Sequence, residues 1–261
     1  MRLDDKDRSL LNSLRAELYV LQGLRGKCPY VIEYYEHYVI RYTSHIEQQN
    51  ILMAHIFMEF ADAGCMVIEV AENGPLSKRL SRRYFAEMAN GLAFMHRNQI
   101  AHNDFKLDNV LLIWDSDDNS KKHCKLTDFG MARFAWKDGV GLLYSNRHCG
   151  TRHYMAPEVI RCGIDGNSNE YVPFSADIWS LGVSLYIMLM QEFPYDIPRK
   201  GRKYDELLKL MKNGVVHAKE IKKKFESNKL AQLLCGMLEY EPNKRFTISE
   251  VVSSPWINNN K

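Results

Sequence analysis

The octapeptide HNDFKLDN, residues 102–109, does most to limit how this chain folds. It follows a helix-like stretch ending in Phe94, Met95 and His96, is led in by Ile100 and Ala101, and gives way to the apolar run VLLI at 110–113. A further acid, Asp128, closes the strand-like KLTD at 125–128 and is followed by Phe129 and Gly130. Polar turns between apolar elements collect Asp and Asn for their backbone chemistry, so the octapeptide alone reads equally as a turn or as a catalytic loop.

The surrounding pattern is mixed. Leu10, Leu14, Leu18 and Leu21 recur at helical spacing and predict a helix from Ser9 to Leu24, stopped by Gly26 and Pro29. VIEYYEHYVIRY (31–42) and ILMAHIFMEF (51–60), rich in β-branched and aromatic residues around the polar SHIEQQN, predict a strand pair that ADAG (61–64) ends. A helix is expected from Leu76 to about Asn98, then strands at 110–113 and 125–128 joined by the polar loop WDSDDNSKKHC. Helices follow at 174–190, 204–213, 228–238 and 247–256, with GIDGNSNEYVP (163–173) a turn-rich connection. The run from Lys219 to Lys224, with four lysines, reads as a solvated loop face.

Composition removes several function classes. A hydrophobic fraction of 46% in 261 residues supports a real core, in one large domain or two lobes around a cleft. Lys+Arg of 35 against Asp+Glu of 32 leaves a formal charge of +3, too near balance to argue for nucleic acid or a membrane surface as the main partner. Six cysteines without C-x-x-C spacing fit reduced thiols and an intracellular, cytoplasmic or nuclear protein. The longest apolar stretch, VSLYIMLM (183–190), is too short to span a bilayer, and MRLDDKDRSLLN has no apolar signal core.

Further motifs decide between turn and catalytic loop. Asp128-Phe129-Gly130 is followed by Ala156-Pro157-Glu158 and then by Asp177-Ile178-Trp179-Ser180-Leu181-Gly182 at the start of an apolar helix. The order H-x-D-x-K-x-x-N, D-F-G, A-P-E, D-x-W-S-x-G resembles the eukaryotic protein kinase family over nearly the whole chain. The resemblance implies an α+β, bilobal fold: a reduced small lobe of one helix and a β-hairpin over 1–60, and a mainly helical large lobe over 61–261. It also implies ATP and Mg2+ as cofactors. Asp104 would accept the substrate hydroxyl proton, Lys106 would touch the γ-phosphate, and Asn109 with Asp128 would hold magnesium. Met58 would be the gatekeeper, backbone groups of Glu59 and Ala61 would meet the adenine edge, and Leu111 would lie beneath the ring. Glu158 and Arg245 would form a buried ion pair, Asp177 would hold the catalytic-loop backbone, and Phe129 and His102 would stack with Leu21.

Lys106 and the Cys149-Gly150-Thr151 segment resemble the serine/threonine branch. Thr151 is either bonded to Asp104 and Lys106 or a phosphosite, alongside Tyr144 and Ser145, of which Ser145 is the first choice. The single carboxylate of Asp108 is slight grounds for a substrate with a basic residue near its phosphosite.

Two departures from the family pattern stand out. Asn103 replaces the arginine that ordinarily pairs with a phosphorylated activation segment. The glycine-rich loop and the third-strand lysine, partner of a glutamate placed like Glu17, have no counterpart, and Lys6 is a poor substitute. These departures leave two functions open: a serine/threonine kinase whose sequence before residue 1 is missing from this chain, or a pseudokinase binding a protein partner. A small-molecule kinase of similar fold is the weaker third reading. A small lobe so reduced is expected to expose apolar surface and a sheet edge.

Overall fold

The computed structural model describes residues 5–43, 50–164, 169–195, 204–212 and 221–258. Helix α1 (Asp5–Leu24) opens the chain, four residues earlier than its leucine spacing predicts, and buries Leu18, Leu21 and Leu24. Strands β1 (Tyr34–Thr43) and β2 (Asn50–Met58) pair antiparallel, with a register irregularity between Tyr34 and Glu36. Residues 44–49 of the predicted polar connection lie outside the described residues. The hairpin ends at Met58, so Glu59–Ala61 form a strap rather than strand.

Beyond the strap, α2 (Met66–Asn73) and α3 (Lys78–Arg97) precede β3 (Ile100–Ala101). The octapeptide follows, ending in a single 3-10 turn at Leu107–Asn109. Strands β4 (Val110–Trp114) and β5 (Lys122–Leu126) form an antiparallel pair. β5 begins three residues earlier than predicted and stops before Thr127, because Asp128 turns the backbone into the left-handed region at φ 61°. Backbone bonds from Ile32 N–H to Leu126 C=O (2.9 Å) and from Leu126 N–H to Tyr30 C=O (2.8 Å) tie the segment after α1 to β5.

The segment after D-F-G contains short pairings the sequence does not announce. β6 (Arg133–Phe134) pairs with β3, and β7 (Trp136–Lys137) pairs with β8 (Gly141–Leu142). Two-residue strands are too short for an alternation pattern, and tertiary contacts decide them. Next come α4 (Pro157–Ile164), α5 (Pro173–Met190), α6 (Tyr204–Lys212), α7 (Asn228–Met237) and α8 (Ile248–Val252). α2 and α4, eight residues each, are absent from the sequence reading because two turns give too little periodicity. α4 claims Gly163 and Ile164 from the predicted turn-rich connection, whose residues 165–168 lie outside the described ones.

The basic run is also corrected: residues 221–225 are helical and Ile221 is buried, so 222–224 are the solvent side of a packed helix, while 219 and 220 lie outside the described residues. α8 is shorter than expected because Thr247 and Glu250 form a capping box that fixes its start, and Ser253 ends it.

One core joins α1, α3, β4, β5, α5 and α7, and a second lies between α4, α5 and α6. α5 has the length and apolarity to cross a membrane, yet 78% of it is buried inside the protein, so its apolarity is accounted for by the core. The hairpin behaves as expected of a lone two-stranded sheet: Tyr38, Val39, Ile40, Tyr42, Met53 and Phe57 are all exposed.

Candidate active site

The octapeptide is held from below by α5. Asp177, 1% exposed, accepts the Asn103 N–H on Oδ1 (2.8 Å) and the His102 N–H on Oδ2 (2.8 Å), and Oδ2 also meets His96 Nε2 at 2.9 Å. Two consecutive backbone donors aimed at one buried carboxylate fix the loop's course and let Asn103 adopt φ 63°, which asparagine tolerates. His102 is fully buried, its ring 5.6 Å from that of Phe129 and its Nε2 3.2 Å from Thr127 C=O. It is a packed core histidine, as expected; Leu21 is likewise buried.

Above that support the polar side chains converge. Asp104 Oδ2 receives Lys106 Nζ at 2.8 Å, and Oδ1 receives both the N–H (2.7 Å) and the hydroxyl (2.8 Å) of Thr151. Lys106 Nζ also donates to Thr151 Oγ1 at 2.9 Å. A carboxylate offers about four lone-pair sites, so three bonds leave Asp104 one further acceptor position, on Oδ2. Gly150 makes this approach feasible: at φ 102°, a Cβ there would lie 2.8 Å from the Asn103 carbonyl oxygen. Asn109 is buried, and its Nδ2 donates to Asp104 C=O at 2.9 Å. Asn109 C=O in turn accepts the Thr127 N–H at 3.0 Å, which links Asn109 to the residue before Asp128.

With its amide nitrogen so engaged, Asn109 presents its side-chain oxygen, and Asp128 adds a carboxylate. Both are hard oxygen donors of the kind magnesium accepts, with phosphate and water completing the shell. Asp128 Oδ1 lies on the side of Gly130 where a Cβ would sit 3.4 Å from it, and Glu17 Oε2 lies 3.8 Å from the same point. Burial, aided by the charge of Asp128, pushes the Glu17 carboxyl above its ordinary pKa, and the Arg133 field opposes that shift. Asn103 Nδ2 donates to Met131 C=O at 3.1 Å, so a short local bond reaches the segment after D-F-G at the arginine-less position.

The strap carries Glu59 and Ala61. Glu59 N–H donates to Glu33 C=O (2.8 Å), and its Oε2 pairs with Lys125 Nζ (2.9 Å) and accepts the Glu33 N–H (3.2 Å). The expectation for Glu59 therefore narrows: its N–H is already engaged, which leaves only the carbonyl for a ligand edge. Leu111 lies directly opposite Lys125 in the β4–β5 register, bridges to Cys65 and is half-buried. Met58 is 38% exposed at the end of β2.

Three contributors escape the sequence reading. Lys125 alternates with buried Cys124 and Leu126 and so shares the face of Leu111, a relation visible only once the strand register is known. His96 is 81 residues from its partner Asp177, and Arg133 binds Gly130 and Ala132 carbonyls through Nη1. The first pairing is too distant for a local pattern, and the second is to backbone carbonyls, which no side-chain pattern marks.

The expected ion pair of Glu158 and Arg245 forms. Arg245 Nη1 and Nη2 reach Glu158 Oε1 and Oε2 at 2.6 and 3.0 Å, both residues are buried, and the guanidinium lies 5.1 Å from the Trp179 ring centroid. Ser145 exchanges backbone bonds with Tyr171 (2.9 and 2.8 Å) and is half-buried, whereas Tyr144 is exposed.

Comparison with known proteins follows the same line. The chain is 30% identical over 257 residues to SNF1-related protein kinase catalytic subunit alpha KIN12 of Arabidopsis thaliana, covering 97% of this chain and 45% of that protein. It is 28% identical over 206 residues to serine/threonine-protein kinase ppk25 of Schizosaccharomyces pombe, covering 79% and 43%. It is 27% identical over 253 residues to NUAK family SNF1-like kinase 1 of Homo sapiens, covering 97% and 33%. The chain thus spans less than half the length of these relatives. Residues 1–257 match the protein kinase domain model, and the chain belongs to the protein kinase domain family.

Proposed function

We propose that this chain is a protein serine/threonine kinase that transfers the γ-phosphate of ATP to a protein hydroxyl, with a small lobe over 1–60, a large lobe over 61–261, and an intracellular location. The observation that carries the reading is the Asp104–Lys106–Thr151 cluster, with Asn109 bonded to the Asp104 carbonyl. Phosphoryl transfer asks a protein mainly to position the reactants and to neutralise charge. Asp104, with one acceptor position left, orients the substrate hydroxyl and takes its proton. Lys106, held 2.8 Å from Asp104, places a positive charge beside the transferred group. Asn109 and Asp128 hold magnesium, Leu111 and Met58 bound the adenine space, and the Glu59 carbonyl with Ala61 meets its edge. Bound MgATP supplies the transferable phosphoryl group. Thr151 joins the loop that binds the substrate segment to Asp104, which supports the serine/threonine assignment.

A second reading is favoured by one observation: Glu17 sits beside Asp128 with its pKa raised, and among the described residues no lysine forms an ion pair with it. On that reading the chain is a pseudokinase that engages a protein partner. Labelled γ-phosphate transfer from MgATP to serine, threonine and tyrosine peptides separates the two. The kinase reading expects serine or threonine labelling that falls by about 10²- to 10⁴-fold in Asp104→Asn. No labelling from folded protein, or labelling indifferent to Asp104→Asn, overturns it.

A further inference from the structure

A cavity of about 870 Å³ shares no residue with the Asp104 cluster. Lys78, Arg79, Arg82 and Arg83 from the start of α3 line it, together with Tyr30 and Ile257. These cations recur at i, i+1, i+4 and i+5, so Lys78 faces Arg82 and Arg79 faces Arg83 one turn apart, an arrangement of like charges that disfavours the helix. They also sit at the positive end of the α3 dipole, and its first turn carries no acidic residue. A sequence with only +3 overall has concentrated charge where the local structure resists it.

Two acids, Glu87 and Glu226, share the cavity with these cations. Glu87 spends Oε1 on His123 (3.0 Å) and Oε2 on the Cys124 N–H (2.8 Å), which leaves Glu226. Among the described residues no carboxylate lies within ion-pair distance of Lys78, Arg79 or Arg83, and the Arg82 and Arg83 guanidiniums lie over the Trp256 and Tyr84 rings at 5.4 and 4.9 Å. Lys78 Nζ donates to Phe225 C=O (3.2 Å), which ties the start of α3 to the segment that brings Glu226 and Ser227 to the cavity wall.

We propose that this cavity binds a compact, multiply phosphorylated small molecule of the inositol polyphosphate class through Lys78, Arg79, Arg82 and Arg83. The volume falls in the range of small-ligand sites. Arginine forks match phosphate oxygens two at a time, and several cations around one concavity suit several phosphates on one scaffold. Tyr30 and Ile257 offer apolar surface to the ring. The proposal is independent of phosphoryl transfer at Asp104.

Calorimetric titration of the full chain with inositol hexakisphosphate tests it, and vesicles carrying a polyphosphoinositide tell whether the source is soluble or membrane-borne. The expected result is saturable one-site binding that weakens with salt and is much tighter than for orthophosphate. Lys78→Gln/Arg79→Gln weakens it about tenfold or more, while Lys209→Gln/Lys212→Gln on α6 leaves it unchanged. A melting curve confirms that each variant is folded, and mass spectrometry of wild-type protein shows Lys78 protected from acetylation by the ligand. Absence of saturable binding, binding indifferent to Lys78→Gln/Arg79→Gln with no Lys78 protection, or equal competition by duplex DNA overturns the proposal.

Discussion

Asp177→Asn changes one atom and removes a charge from the support of the catalytic loop. Wild-type Asp177 Oδ1 serves Asn103 N–H at 2.8 Å, and Oδ2 serves His102 N–H at 2.8 Å and His96 Nε2 at 2.9 Å. An asparagine has one oxygen. If that oxygen takes the Oδ1 place, its NH2 confronts the His102 N–H; if it takes the Oδ2 place, the NH2 confronts Asn103. His96 can adapt by changing tautomer, but one backbone donor is orphaned in either orientation. An unsatisfied buried donor costs about 1–3 kcal/mol, and the remaining bond loses its charge assistance, for a total of about 2–4 kcal/mol. At about 2–4 °C per kcal/mol for a chain of 261 residues, melting should fall by about 4–16 °C. Amide exchange at residues 102 and 103, read by mass spectrometry beside the urea transition, should show lost protection there beyond the global change. A loss under about 1 kcal/mol with both amides still protected would refute the reasoning.

Arg245→Met should cost about 3–5 kcal/mol by urea denaturation, because Glu158 keeps its buried charge and the Glu239 and Ser175 carbonyls lose a donor; adding Glu158→Leu should recover much of that loss. Glu17→Gln should raise melting at about pH 7.5 and not at about pH 4, since a raised folded pKa means a penalty that is absent below the ordinary 4.5 and grows as pH rises through the shifted value. His123 is clasped by Asp115 Oδ2 at 2.7 Å and Glu87 Oε1 at 3.0 Å, and the Asp115 bond leads in raising its pKa. Its contribution is therefore complete below the ordinary 6.5 and lost as pH rises through the raised value, so His123→Gln should cost more melting temperature at about pH 5.5 than at about pH 9.

Much of the site was legible because its residues lie close together in sequence. Asp104, Lys106 and Asn109 fall within one octapeptide, and the loop geometry that joins them is local. Asp128, Asp177, Glu158 and Arg245 were legible through their motifs. His96 was not, because its partner Asp177 lies far along the chain, nor was Lys125, whose place depends on a strand register that only folding sets; Arg133 bonds backbone carbonyls one and three residues back, which no side-chain pattern marks. Long periodic elements such as α1, α3 and α5 announced themselves, whereas α2, α4 and the two-residue strands depend on packing. The lysines at 222–224 read as a loop face because the helix over 221–225 is little more than one turn and shows no periodicity.

The account rests on Asp104, Asn109 and Asp128 acting as one phosphoryl-transfer site, and the rate of γ-phosphate transfer against free Mg2+ tests this most directly. The expected result is transfer that saturates with Mg2+ in the wild-type chain and falls by about 10²-fold or more in Asp128→Asn, with melting preserved. Folded wild-type protein that transfers nothing at any Mg2+ concentration, or an Asp128→Asn variant with the wild-type metal dependence, would contradict it.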